Sequence, residues 1–301
     1  MEDILIRAAC FLSVILLGYL LRRTGVFDEH AFGVLSKVVL KITLPATIVL
    51  SFAGKQIDLG MMTIVTLGLL GNGLYLLLSF LLNRRRSPGQ RAFALLNAAG
   101  YNIGTFTLPF VQSFLGPMGV VVTSLFDTGN AFFSLGGAFS LASMVKDGAA
   151  FSWKRVAKKL STSVPFLCYL IMLTLALLRI TPPAPILSFA QIVGNANAFL
   201  AMLMIGVGFR LKLDRAHLAP LLQILAVRYS IAAAMAVFCW FLPFSLEARQ
   251  TLVILVFSPV ASAAVPFTGE LKEDVGLASA INSMSLLCSI FFILVLLLVM
   301  L

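Results

Sequence analysis

Asn97-Ala-Ala-Gly-Tyr-Asn-Ile-Gly-Thr-Phe-Thr-Leu-Pro109 sits inside an apolar run at about residues 92–115, and it does not read as an unbroken helix. Proline removes a backbone hydrogen bond and glycine weakens a helix, so this run is expected to unwind near its middle. A second run, at about 247–268, carries Phe257-Ser-Pro-Val-Ala-Ser-Ala-Ala-Val-Pro266 and is expected to do the same. Taken singly, each is an ordinary proline kink. Two in matching positions of a membrane chain point instead to a binding site where broken helices meet.

Lipid is the solvent that the composition demands. Of 301 residues, 60% are hydrophobic and 11% charged, with a mean hydropathy of +1.03. A soluble domain carries about 25% charged residues. Apolar runs of the length a helix needs to cross a bilayer occur at about 4–21, 31–53, 59–82, 92–115, 118–144, 163–180, 186–209, 218–243, 247–268 and 275–300. The expectation is therefore an all-α integral membrane protein of ten transmembrane helices. No polar stretch is long enough for a separate soluble domain. The N-terminal run lacks a basic n-region and a cleavage site, and reads as a retained first span. Four scattered cysteines show no metal or disulfide spacing.

Loop charge fixes the expected orientation. The connections that alternate along the chain hold Arg22, Arg23, Arg84–Arg86, Arg91, Lys146, Lys154, Arg155, Lys158, Lys159, Arg210, Lys212, Arg215 and Lys272, 15 basic residues in all. The other connections and the termini hold 4: Arg7, Lys55, Arg179 and Arg249. The positive-inside rule places the first set in the cytoplasm and both termini outside. The net charge of +10 is thus a topology signal, and no nucleic-acid partner is expected. The basic connection Val145–Ser163 divides the chain into a first repeat at 1–150 and a second at 151–301, each of five spans. An odd number of spans per half inverts the second against the first.

Several stretches together resemble the auxin efflux carrier family, which groups with the bile acid:sodium symporters, in a prokaryotic-type member. They are Leu35 to Pro45 with its lysines, Asn102 seven residues before Pro109, Ser258-Pro259 through Pro266-Phe267, Gly276 to Ser283, and Leu203 to Leu211. The resemblance covers essentially the whole chain. It implies a rigid scaffold, a moving transport domain, and broken helices 4 and 9 crossing at the substrate site. Two positions depart from the family pattern: Thr107 where glycine is frequent, and Asn197-Ala198 where proline is frequent. The resemblance also implies that Lys41 and Asn130 belong to a polar cluster supporting that site. It leaves the family's acidic residue on span 3 without a counterpart here.

Ionisable groups deep in a span need a reason, because each costs roughly 2.5–3.5 kcal/mol to insert. Lys41 and Asp127 each lie about ten residues into their spans, near the midplane at 1.5 Å per residue. They are candidates for an ion pair. Arg228 is at mid-depth if its helix starts at His217 and interfacial if it starts near Leu225, and the second placement is preferred. Lys37 reads as a snorkelling side chain. Candidate substrate contacts are Asn102, Gly104, Thr105, Pro109, Ser258, Pro259, Ser262, Pro266 and Asn282. Half-helix N-termini at the breaks suit a carboxylate.

These features read as a secondary transporter working by alternating access on a small organic anion or weak acid, such as a dicarboxylate or an auxin-like acid. The expected location is the plasma (inner) membrane. No nucleotide-binding or other cofactor motif appears, and no catalytic constellation marks an enzyme. Asp127 is the candidate for proton coupling. Sodium coupling of the bile acid type is the alternative, weakened because Ser258–Pro266 offers only serines and backbone. A channel or sensor is the remaining competitor, since broken helices also line pores. The expected partners are the bilayer and the anion, and small-residue faces leave room for a homodimer.

Overall fold

The computed structural model describes residues 2–28, 30–55, 57–209 and 217–301. Three basic residues of the loop charge count, Arg210, Lys212 and Arg215, lie outside them. Among the described residues the chain is all-helical, without a strand.

In chain order the helices are α1 (Glu2–Arg23), α2 (Ala31–Val38), α3 (Leu44–Phe52), α4 (Thr63–Leu82), α5 (Pro88–Ala98), α6 (Leu108–Phe114), α7 (Gly116–Phe132) and α8 (Ala138–Asp147). The rest are α9 (Trp153–Thr162), α10 (Val164–Leu177), α11 (Ala184–Asn195), α12 (Asn197–Gly208), α13 (Leu218–Trp240), α14 (Leu246–Val256), α15 (Ala264–Glu270) and α16 (Val275–Met300). One π-helical turn, Val39–Thr43, joins α2 to α3, and another, Phe133–Gly137, joins α7 to α8. Among the described residues six helices are long and apolar enough to cross a membrane: Leu5–Arg23, Ala31–Phe52, Gly60–Leu82, Ala184–Gly208, Leu218–Trp240 and Val275–Met300. The pair α9–α10, bent by 75° at its break, raises the number to seven if it is one span. The protein is a multi-pass membrane protein.

Three further apolar runs are cut before they reach that length: α5–α6, α7–α8 and α14–α15. Their ends are chemically marked. Ser87 and Gln90 form a capping box at the start of α5, with Pro88 behind the cap. Ser245 caps α14 and Asp274 caps α16. Each cap satisfies backbone donors that a helix start leaves open. The basic connection at Val145–Ser163 is itself largely helical, since α9 fills it. Ion pairs fasten it to the end of α15 and the turn that follows, through Arg155–Glu270 and Lys146–Glu273, both at 2.5 Å.

Glycines set the closest helix pairs. On α1 and α12, Gly18 faces the Leu203 carbonyl and Gly206 faces the Ile15 carbonyl so closely that a methyl on either would overlap the oxygen. Gly68 on α4 and Gly129 on α7 repeat the arrangement with the Phe126 and Val65 carbonyls. Small residues let helix backbones approach in this way where lipid supplies no hydrophobic drive. Helices α1, α2, α3, α10, α11 and α12 pack largely on one another. Helices α4, α5, α7, α8, α13, α14, α15 and α16 form a second group that holds both deep breaks.

Candidate functional site

The first deep break lies upstream of Pro109, and the second holds Pro259 within it and ends before Pro266. Segment α5 ends at Ala98, and the chain is unwound to Asn102 before a π-helical turn at Ile103–Thr107 leads into α6. Pro109 is the second residue of α6, directly after that turn, so its missing N–H falls where the helix passes from π to α bonding. Likewise α14 ends at Val256 and α15 begins at Ala264, with Pro266 in its first turn. Gly100 takes φ +78°, the left-handed region that favours glycine.

The two unwound stretches run antiparallel through an isolated bridge between Tyr101 and Val260. The Asn102 N–H donates to the Pro259 carbonyl at 2.9 Å. Side chains from neighbouring helices complete the accounting that lipid cannot supply. Asn72 of α4 accepts from the Gly100 N–H at 2.7 Å. Asn130 of α7 mimics a strand neighbour: it accepts from the Tyr101 N–H at 3.0 Å and donates to the Tyr101 carbonyl at 2.9 Å. Ser285 and Asn282 of α16 serve Val260 in the same manner, at 3.1 and 3.2 Å. Thr107 and Ser258 join the two stretches by hydroxyl to hydroxyl at 2.6 Å, which gives the departure at position 107 a structural role.

Arg228 lies behind this crossing and is fully buried. Its helix α13 begins at Leu218 with His217 as the cap, so the preferred interfacial placement is overturned. Arg228 stands about ten residues into the helix, roughly 15 Å along it. Its guanidinium donates to the carbonyls of Ala98 (2.6 Å), Gly100 (2.9 Å), Ser258 (2.8 Å) and Pro259 (3.0 Å). The faces of Tyr75 and Tyr101 flank it at 4.9 and 5.3 Å. Those carbonyls follow the C-terminal ends of α5 and α14, where helix dipoles are negative. Nη2 shares its two hydrogens among three of these carbonyls, and the buried Nε has no partner among the described residues. About three bonds to a charged donor, at about 1.5–3 kcal/mol each, thus offset an insertion cost of roughly 2.5–3.5 kcal/mol. Arginine is suited to the position because its planar fork reaches several acceptors at once.

Two cavities flank the crossing. The first, about 320 Å³, is lined by Asn102, Thr105, Ser262, Pro266 and Asn282, and by Arg22, Asp28 and Gly208 at the helix ends. The second, about 190 Å³, is lined by Asn102, Gly104, Thr105, Ser262, Asp127 and Asn130, with Tyr169, Ser134 and Ser163. Asn102 holds Ser262 across the crossing at 2.9 Å, and Thr105 donates to the Asn102 side-chain oxygen. Pro109, Ser258 and Pro259 are buried and line neither cavity.

The expected pair of Lys41 and Asp127 is not formed. Among the described residues Asp127 accepts from Asn130 at 2.7 Å and from the Tyr169 hydroxyl at 2.9 Å, and no ion pair involves it. Leu40 and Leu44 occupy the face of their segment that borders the second cavity, while Lys41, in the π-helical turn, is exposed. Residues absent from the sequence expectation are Arg228 as a core group, Tyr169, Asn72 and Tyr101. Asn72 carried the one visible signal, an amide between Gly71 and Gly73 in an apolar run. It bonds Asn130 at 3.1 Å, so the third apolar run does contribute a polar group to this cluster, an amide rather than an acid.

No curated protein matches the chain significantly. A family model described as membrane transport protein matches residues 4–301. An all-helical chain with broken helices paired in its core, matched over nearly its whole length by that model, belongs to the membrane transport family of the auxin efflux carriers and is a membrane transporter.

Proposed function

We infer that the chain is a secondary carrier for a small organic anion or weak acid, working by alternating access at the crossing. The observation that carries this reading is the crossing itself. Two unwound segments share one bridge, and Asn102, Thr105 and Ser262 line the cavities on both sides of it. Unwound backbone at membrane depth occurs where it borders a cavity or a ligand. In this reading ten helical segments span the plasma membrane as two inverted repeats, with both termini extracytoplasmic. The three cut runs are spans whose breaks serve the site. The first helix group acts as scaffold, and the second carries the substrate past it.

Asn102, Thr105, Ser262 and Asn282 are the polar contacts that orient the carboxylate, with Gly104 leaving space beside them. Asp127, held by Asn130 and Tyr169 on the wall of the second cavity, is the coupling carboxylate for a proton. Malonate, malate and indole-3-acetate, as representatives of dicarboxylates and aromatic weak acids, are the test substrates. Purified protein in proteoliposomes should show saturable uptake of at least one of them, accelerated by the same acid inside. Large single-channel currents without counterflow would overturn the carrier reading. Asp127→Asn should retain substrate exchange while losing uptake driven by a pH gradient; unchanged pH-driven uptake would remove Asp127 from the coupling role.

A further inference from the structure

Arg228 brings a positive charge to the crossing, and among the described residues no carboxylate pairs with it. The ion pairs among the described residues are Lys146–Glu273, Arg155–Glu270 and His217–Asp274, and none involves Arg228. Among the described residues its hydrogen bonds go to backbone carbonyls, and the rings of Tyr75 and Tyr101 flank it. Neutral dipoles stabilise a cation without cancelling its charge. The same backbone then leads directly to the cavities. Pro259, whose carbonyl Arg228 holds, also accepts from the N–H of Asn102, and the Asn102 side chain lines both cavities. A buried site with low effective dielectric screens such a charge far less than water does.

We propose that Arg228 sets the charge selectivity of the crossing: it is a fixed cation, held behind the unwound backbone, whose field favours a carboxylate over a neutral molecule of the same shape. It is a positioning residue that touches no substrate. The proposal rests on the anion-carrier reading and assigns its selectivity to one residue. Because the bonds of Arg228 reach both unwound stretches, it travels with them through any change of state.

The test compares each acid with its amide, malonate with malonamide and indole-3-acetate with indole-3-acetamide, by calorimetric binding to the full-length protein in nanodiscs. Wild type should prefer the acid. Arg228→Gln should lose roughly tenfold or more in acid affinity with the amide little changed. Arg228→Lys should restore part of the preference, because the charge returns without the fork. Should Arg228→Gln fail to fold, Asn72→Asp places a negative charge beside Gly100 and should lower the acid-to-amide ratio in the same direction. An undiminished ratio in the folded Gln variant, or in Asn72→Asp where that is the variant read, overturns the proposal alone. A wild type that binds no acid better than its amide overturns it together with the anion reading.

Discussion

Gly100 and Asn130 are the residues on which the crossing depends most directly. At Gly100 a methyl would meet two obstacles, the φ of +78° and the Ala261 Cβ at 2.7 Å. Gly100→Ala should therefore destabilise the protein by about 1–3 kcal/mol, read as a lower thermal midpoint in detergent. Gly73→Ala, where a methyl meets nothing within 4 Å, is the control and should be neutral or slightly stabilising. Asn130 serves Tyr101 twice, Asp127 once and Asn72 once. Asn130→Leu would strand several buried polar groups at about 1–3 kcal/mol each, so a loss larger than that of Gly100→Ala is expected in the same melting assay. A smaller loss would mean that water replaces the amide.

At the level of elements, the breaks and the glycine contacts divide the work between them. Pro109 and Pro266 start the second half-helices, where proline is compatible with helical geometry. Pro109→Ala and Pro266→Ala should each change the melting midpoint little, which separates the role of these two prolines from that of the unwound residues, Pro259 among them. Gly206 and Gly129 are different. A single methyl at either position pushes a helix from a neighbouring carbonyl, so Gly206→Ala and Gly129→Ala should each cost about 1–3 kcal/mol. The two substitutions have separate meanings in the carrier reading. Gly206 joins α1 to α12 in the scaffold group, whereas Gly129 joins α4 to α7 in the moving group.

For the whole molecule, the orientation is the consequence open to direct test. With native Cys10 replaced by serine, Thr181→Cys and Ala150→Cys each place a thiol at an exposed site. The first lies on a connection poor in basic residues and the second on the basic one between the halves. An impermeant maleimide should label Thr181→Cys on intact cells and Ala150→Cys only after permeabilisation. Labelling of both from one side would break the inverted arrangement of two five-span halves.

Composition, run length and charged loops determined that this chain is a helical membrane protein, because those properties belong to segments and survive without knowledge of neighbours. The positions of the two breaks were also legible, since glycine and proline act on their own local backbone. What only the tertiary structure decided is which side chains serve those breaks. Asp127 meets Tyr169 and Asn130 instead of Lys41, because Leu40 and Leu44 take the facing side of their segment and Lys41 turns away. Arg228 looked interfacial because its depth depends on where α13 begins, and a cation that deep is costly without partners. Its partners are main-chain carbonyls at 98, 100, 258 and 259, and a sequence names no carbonyl as special until two distant stretches of backbone are brought together around one guanidinium.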